Sequence, residues 1–112
     1  MNDRDVLRLN ELNERYSPVN LTGFRLVNST TDKRTVLTHI ERDIAVLNSC
    51  DVRYKEVCRV IVDEDCIDIC TGDNGTFVSY FFTQDAKFTP QSLSEDVKTI
   101  CNDLKVNLED RN

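Results

Sequence analysis

The chain has 112 residues, 39% of them hydrophobic and 30% charged, and its 20 acidic and 14 basic side chains give a formal charge of −6. That length fits one domain, residues 1–112, with a real but thin core, and the composition is too apolar for a disordered chain. The acidic balance and scattered Lys and Arg disfavour direct nucleic-acid binding and anionic membrane surfaces, and favour a protein partner with a basic surface.

The first predicted element is a helix over residues 3–16. Val6, Leu9, Leu12 and Tyr16 recur at spacings of three and four and form one apolar stripe. Asn2 or Asp3 suits its start. Ser17-Pro18 ends it, because the residue before proline is pushed out of the α region. This opening segment is charged throughout, without the apolar stretch of a signal peptide, and no run nears the roughly 20 apolar residues that span a bilayer. The expected location is therefore cytoplasmic, with reduced thiols. Phe24 to Val27 reads as a short strand after Gly23, and Asn28 to Asp32 as a polar loop rich in helix caps. Residues 33–48 form a second helix, with Val36, Leu37, Ile40, Ile44 and Leu47 inward and Arg34, Glu41, Arg42 and Asp43 on a solvated side.

Cys58 to Phe82 reads CRVIVDEDCIDICTGDNGTFVSYFF, three strand-like runs divided by two turn signals. Val60-Ile61-Val62 ends a run from Tyr54 and is continuous enough to be covered on both faces. Cys66 to Cys70 alternates strictly, and Thr76 to Thr83 forms the third run. The turns at Asp63-Glu64-Asp65 and Gly72-Asp73-Asn74-Gly75 are short, which makes neighbouring strands antiparallel in the order 1-2-3. A last helix is expected over Leu93 to Leu108, opened by a Ser92/Glu95 capping box. The expected fold is α+β: a three-stranded antiparallel meander, extended by the short strand as a fourth, packed against about three helices.

Motifs for chemistry are sparse. A calcium loop of EF type needs glycine at its sixth and glutamate at its twelfth position. Counting from Asp63 finds Asp68 and Asn74 there, so the pattern fails. Cys66 and Cys70 would stand roughly 13 Å apart along a strand, too far for one zinc ion, and Cys50, Cys58 and Cys101 supply no close ligand pair. No metal site and no cofactor are expected. His39, the single histidine, has no local nucleophile signature, and GDNG lacks the length and lysine of a phosphate cradle. The sequons at Asn20, Asn28 and Asn74 matter only in a secretory compartment.

The expected function is therefore non-enzymatic: a small acidic protein-binding module, an inhibitor or adaptor acting on a basic protein surface. Its size and charge also suit phage-encoded modulators of host factors, and DNA mimicry is the weaker variant because basic residues are interspersed. The partner-binding residues are expected at Asp63, Glu64, Asp65, Asp68 and Asp73, with Tyr80 and Phe82 as aromatic contacts in a hetero-complex or a homodimer. One alternative is a small enzyme or small-ligand binder with its pocket between helix two and the sheet, using Asp68, His39 or a cysteine. Another is a thiol-based redox regulator.

Overall fold

In the computed structural model, residues 2–16, 24–49, 59–70 and 76–111 are described, without the side chains of residues 9 and 12–16. The elements are α1 (Asp3–Tyr16), β1 (Phe24–Val27), α2 (Lys33–Asn48), β2 (Arg59–Val62), β3 (Cys66–Cys70), β4 (Thr76–Phe82), a short 3-10 turn (Gln91–Leu93), α3 (Ser94–Leu104) and β5 (Asn107–Asp110). The expected turn at Gly72 to Gly75 lies outside the described residues.

The five strands form one mixed sheet in the order β1-β4-β3-β2-β5. β2, β3 and β4 are antiparallel neighbours, whereas β1 runs parallel to β4 and β5 parallel to β2. The α+β class stands, but the three-stranded antiparallel sheet does not. Both edges of the expected meander are extended by strands distant in sequence. β5 falls where the last helix was expected to continue. That helix stops at Leu104 because Lys105 turns left-handed (φ 58°, ψ 45°). The Val106 N–H then donates to the Cys101 carbonyl at 2.8 Å and the Lys105 N–H to the Asn102 carbonyl at 3.3 Å. This paired closure satisfies the last helical carbonyls and releases the chain as a strand.

The caps follow local chemistry. The Asn2 side chain accepts the Asp5 N–H at 2.9 Å, and Asp32 accepts the Thr35 N–H at 2.7 Å at the start of α2. The Ser92 capping box does not form. Its hydroxyl donates to the Thr89 carbonyl at 2.6 Å, closing the turn that precedes α3.

Both faces of the central strands are buried, for different reasons. On the first face Val60, Val62, Ile67, Ile69, Val78, Tyr80 and Phe82 pack with Val36, Ile40, Ile44 and Leu47 of α2 and Val97 and Cys101 of α3. This face is the hydrophobic core and supplies most of the stabilising burial. The second face carries Ile61, Cys66, Asp68, Cys70, Ser79 and Phe81, all buried. Asp68 and Ser79 are cross-strand partners there. α1 is tied to one end of the sheet by two polar contacts. The buried Asp5 carboxylate accepts the Gln84 N–H at 3.1 Å, and Arg8 clasps Asp65.

Candidate functional site

The β2–β3 turn is rigidly held. The Asp63 N–H donates to the Cys66 carbonyl at 2.9 Å, and the Asp63 side chain accepts the Glu64 N–H at 2.8 Å. From the segment before α3, the Gln91 amide donates to the Asp63 carbonyl at 2.8 Å. These bonds leave Glu64 exposed at the tip and Asp63 half-buried beside it. Asp65 is engaged differently. Arg8 grips it through Nε at 2.5 Å and Nη2 at 3.1 Å, a fork that offsets its charge and raises the guanidinium pKa further.

The fold adds acids that no sequence window contains. Asp110 pairs with Val62, next to the turn, and accepts the Ser94 hydroxyl at 2.7 Å. Exposed Glu95 and Glu109 are the respective neighbours of Ser94 and Asp110. Asp63, Glu64, Glu95, Glu109 and Asp110 thus share one end of the sheet, with Arg111 paired to Glu109 at 3.2 Å. Beside this end, α1 and the turn flank a cleft of about 560 Å3 lined by Arg4, Leu7, Arg8, Glu11, Glu64, Asp65 and Gln84. Leu7 is 64% exposed and Val6, next to it, 42%.

The remaining expected site residues lie elsewhere. Asp68 is 1% exposed on the second sheet face, Tyr80 1% and Phe82 4% exposed in the core. Helices cover the strand face that carries both rings, so neither offers surface to a partner. Phe82 instead meets Phe88 edge-on at 5.8 Å. Asp73 lies outside the described residues, as do Cys50 and Cys58. Arg59 stands opposite Cys70.

The three described thiols, Cys66, Cys70 and Cys101, are free and buried. Burial, helped by the Asp68 charge, pushes Cys66 and Cys70 above the ordinary value of 9.0, and burial alone lifts Cys101 to about 11. Among the described residues no three His, Cys, Asp or Glu side chains cluster as metal ligands, and no helix is long and apolar enough to cross a membrane.

Asp43, expected on the solvated side of α2, is buried. Its carboxylate accepts a short hydrogen bond from the Tyr80 hydroxyl and a fork from Arg25, Nε at 2.9 Å and Nη2 at 3.2 Å. Arg25 also lies over the Tyr80 ring, 6.0 Å from its centre. Desolvation and the bond to Asp43 drive the Tyr80 pKa well above 10.0, and the bond to Asp43 raises that of Arg25. Above this network a second cleft, about 390 Å3, opens between β1 and α2 with His39 and Asp32 on its wall. The Asp32 carboxylate is occupied as a helix cap, and among the described residues no carboxylate hydrogen-bonds His39. A proton-transfer pair is therefore not assembled there. Comparison with protein-family models, with curated proteins and with solved structures found no match for this chain.

Proposed function

We propose that the chain is a protein-binding module that takes a basic segment of its partner against the acidic sheet end and the α1 cleft. The observation that carries this reading is the convergence of Asp63, Glu64, Glu95, Glu109 and Asp110 beside an exposed apolar residue, Leu7. An apolar centre inside a charged rim is the anatomy of a protein interface. The rim speeds the encounter with a cationic surface, and Leu7 with Val6 supplies the desolvated contact first assigned to Tyr80 and Phe82. A second copy of the chain is a poor occupant of this face, because two such ends repel each other.

The test is capture of partners from the native cell by the wild type, by Asp63→Lys/Glu64→Lys, and by Glu41→Lys on the exposed side of α2. Proteins retained by the wild type and the Glu41 variant but lost from the turn variant support the proposal. Equal recovery by all three removes the acidic end from the account.

A further inference from the structure

An open sheet has two edges, and those of this chain are unlike. β5 carries the exposed carboxylates Glu109 and Asp110, a charged protection that keeps an edge from pairing with another chain. β1 has no such protection. Its residues are Phe24, Arg25, Leu26 and Val27. Asp43 of α2 holds the Arg25 charge, Val27 is buried, and Leu26 is 46% exposed. Leu26 pairs with Phe81 and Phe24 with Ser79, so both side chains stand on the second sheet face, away from α2.

The backbone of this edge is open as well. The Thr83 N–H donates to the Val27 carbonyl at 2.9 Å, so Val27 and Arg25 turn their main-chain polar groups toward β4. The N–H and C=O of Phe24 and Leu26 therefore point outward. Among the described residues nothing bonds these groups, and β1 is the last strand of the sheet on this side. A cleft of about 390 Å3 lies against the strand, with Thr35 and His39 of α2 in its lining. The open stretch stops at Asn28. Its N–H donates to Thr31 Oγ1 and its carbonyl accepts the Thr31 N–H, both at 3.1 Å. The outward groups of β1 thus sit symmetrically about Arg25.

We propose that β1 pairs with β1 of a second copy of the chain, antiparallel about a two-fold axis at Arg25, and joins the two sheets into one. Phe24 then exchanges hydrogen bonds with the partner's Leu26, and Leu26 with the partner's Phe24, so a single symmetric contact uses every outward group of both residues. On the second face each Phe24 ring meets the partner's Leu26 side chain, an aromatic–aliphatic cross-strand pair. Charge decides where two copies can meet, because chains of −6 repel wherever their acids approach. The acidic β2–β3 turn is at least two strand spacings from β1. Across the seam the two turns stay at least roughly 24 Å apart, about three Debye lengths at physiological salt. At the seam the two facing Arg25 side chains are each neutralised by their own Asp43. This surface is separate from the acidic sheet end and does not rest on the function proposed for it.

Sedimentation of the full chain over a concentration series, with amide exchange measured on the same samples, tests it. The wild type should dimerise with a dissociation constant at or below about 500 μM, and exchange at the Leu26 N–H should slow as the dimer fills. Leu26→Lys, at an exposed side chain, should raise the dissociation constant about tenfold or more. Leu26→Pro removes an outward N–H and leaves the bonds to β4 in place, and it should act in the same direction. Leu7→Lys and Asp63→Lys/Glu64→Lys should not weaken the dimer. The proposal is overturned by no dimer at about 500 μM, by a dimer in which the Leu26 amide exchanges as fast as in the monomer, or by a dimer that neither Leu26 change weakens. A dimer that Leu7→Lys weakens as much as the Leu26 changes do would overturn it too.

Discussion

Asp43 shows what a single residue can hide. Helical periodicity puts it at the boundary of the α2 stripe, and its charge alone argued for water. The fold buries it because two partners converge from separate strands: Arg25 from β1 and Tyr80 from β4. Neither β1–β4 pairing nor its register is readable from local pattern, since the parallel pair joins segments about 55 residues apart in sequence. Tyr80 shows the same effect in reverse. Three adjacent aromatics must point to both faces of a strand, and whether both faces are covered is decided elsewhere in the chain. Tyr80→Phe should cost about 1–3 kcal/mol, because a buried carboxylate loses one donor. The same variant should soften alkaline unfolding. Tyr80 and the three described thiols all titrate higher in the folded chain than their ordinary values of 10.0 and 9.0. The folded state therefore holds its protons longer, so stability is complete below about pH 9 and declines as pH rises through the raised values. Urea midpoints followed from neutral to alkaline pH in both proteins check this. An equal decline in the two would remove Tyr80 from it.

At the scale of elements, the sequence was legible wherever periodicity was local. α1 and α2 fall on their expected residues, and β3 and its neighbours take their expected places in the middle of the sheet. The misses share a cause. Leu108 extends the apolar stripe of Val97, Ile100, Cys101 and Leu104 well enough to pass for helix, and the left-handed turn at Lys105 carries no glycine to announce it. Ser92 satisfies the spacing of a capping box yet bonds within its own turn, because the 3-10 segment shifts the helix start by one residue. α1 has a different status from α2 and α3. Its described polar ties to the sheet are the Asp5 bond to Gln84 and the Arg8 fork to Asp65. Arg8→Gln leaves the half-buried Asp65 without its fork. It should destabilise the chain by about 0.5–1 kcal/mol and speed amide exchange in α1 selectively. Uniform exchange in wild type and variant would show that Arg8 does not hold the helix.

For the whole molecule, the fold sorts charges that look scattered along the chain. The acids of the β2–β3 turn, the α3 start and β5 gather at one sheet end, while Arg25, Arg34, Arg42 and His39 gather beside β1 and α2. The net charge of −6 forecast an attraction to cations but not where it would act. The anchor of the proposed interface was likewise displaced, from the aromatic strand to the exposed start of α1. The most direct measurement is photo-cross-linking in the native cell, with a benzophenone amino acid at position 7 and, as a control, at position 46 on α2. The account predicts a discrete adduct with a basic-surfaced protein from position 7 that vanishes when Glu64 is changed to Lys, and none of that adduct from position 46. The same adduct from both positions, or none from position 7, would contradict it.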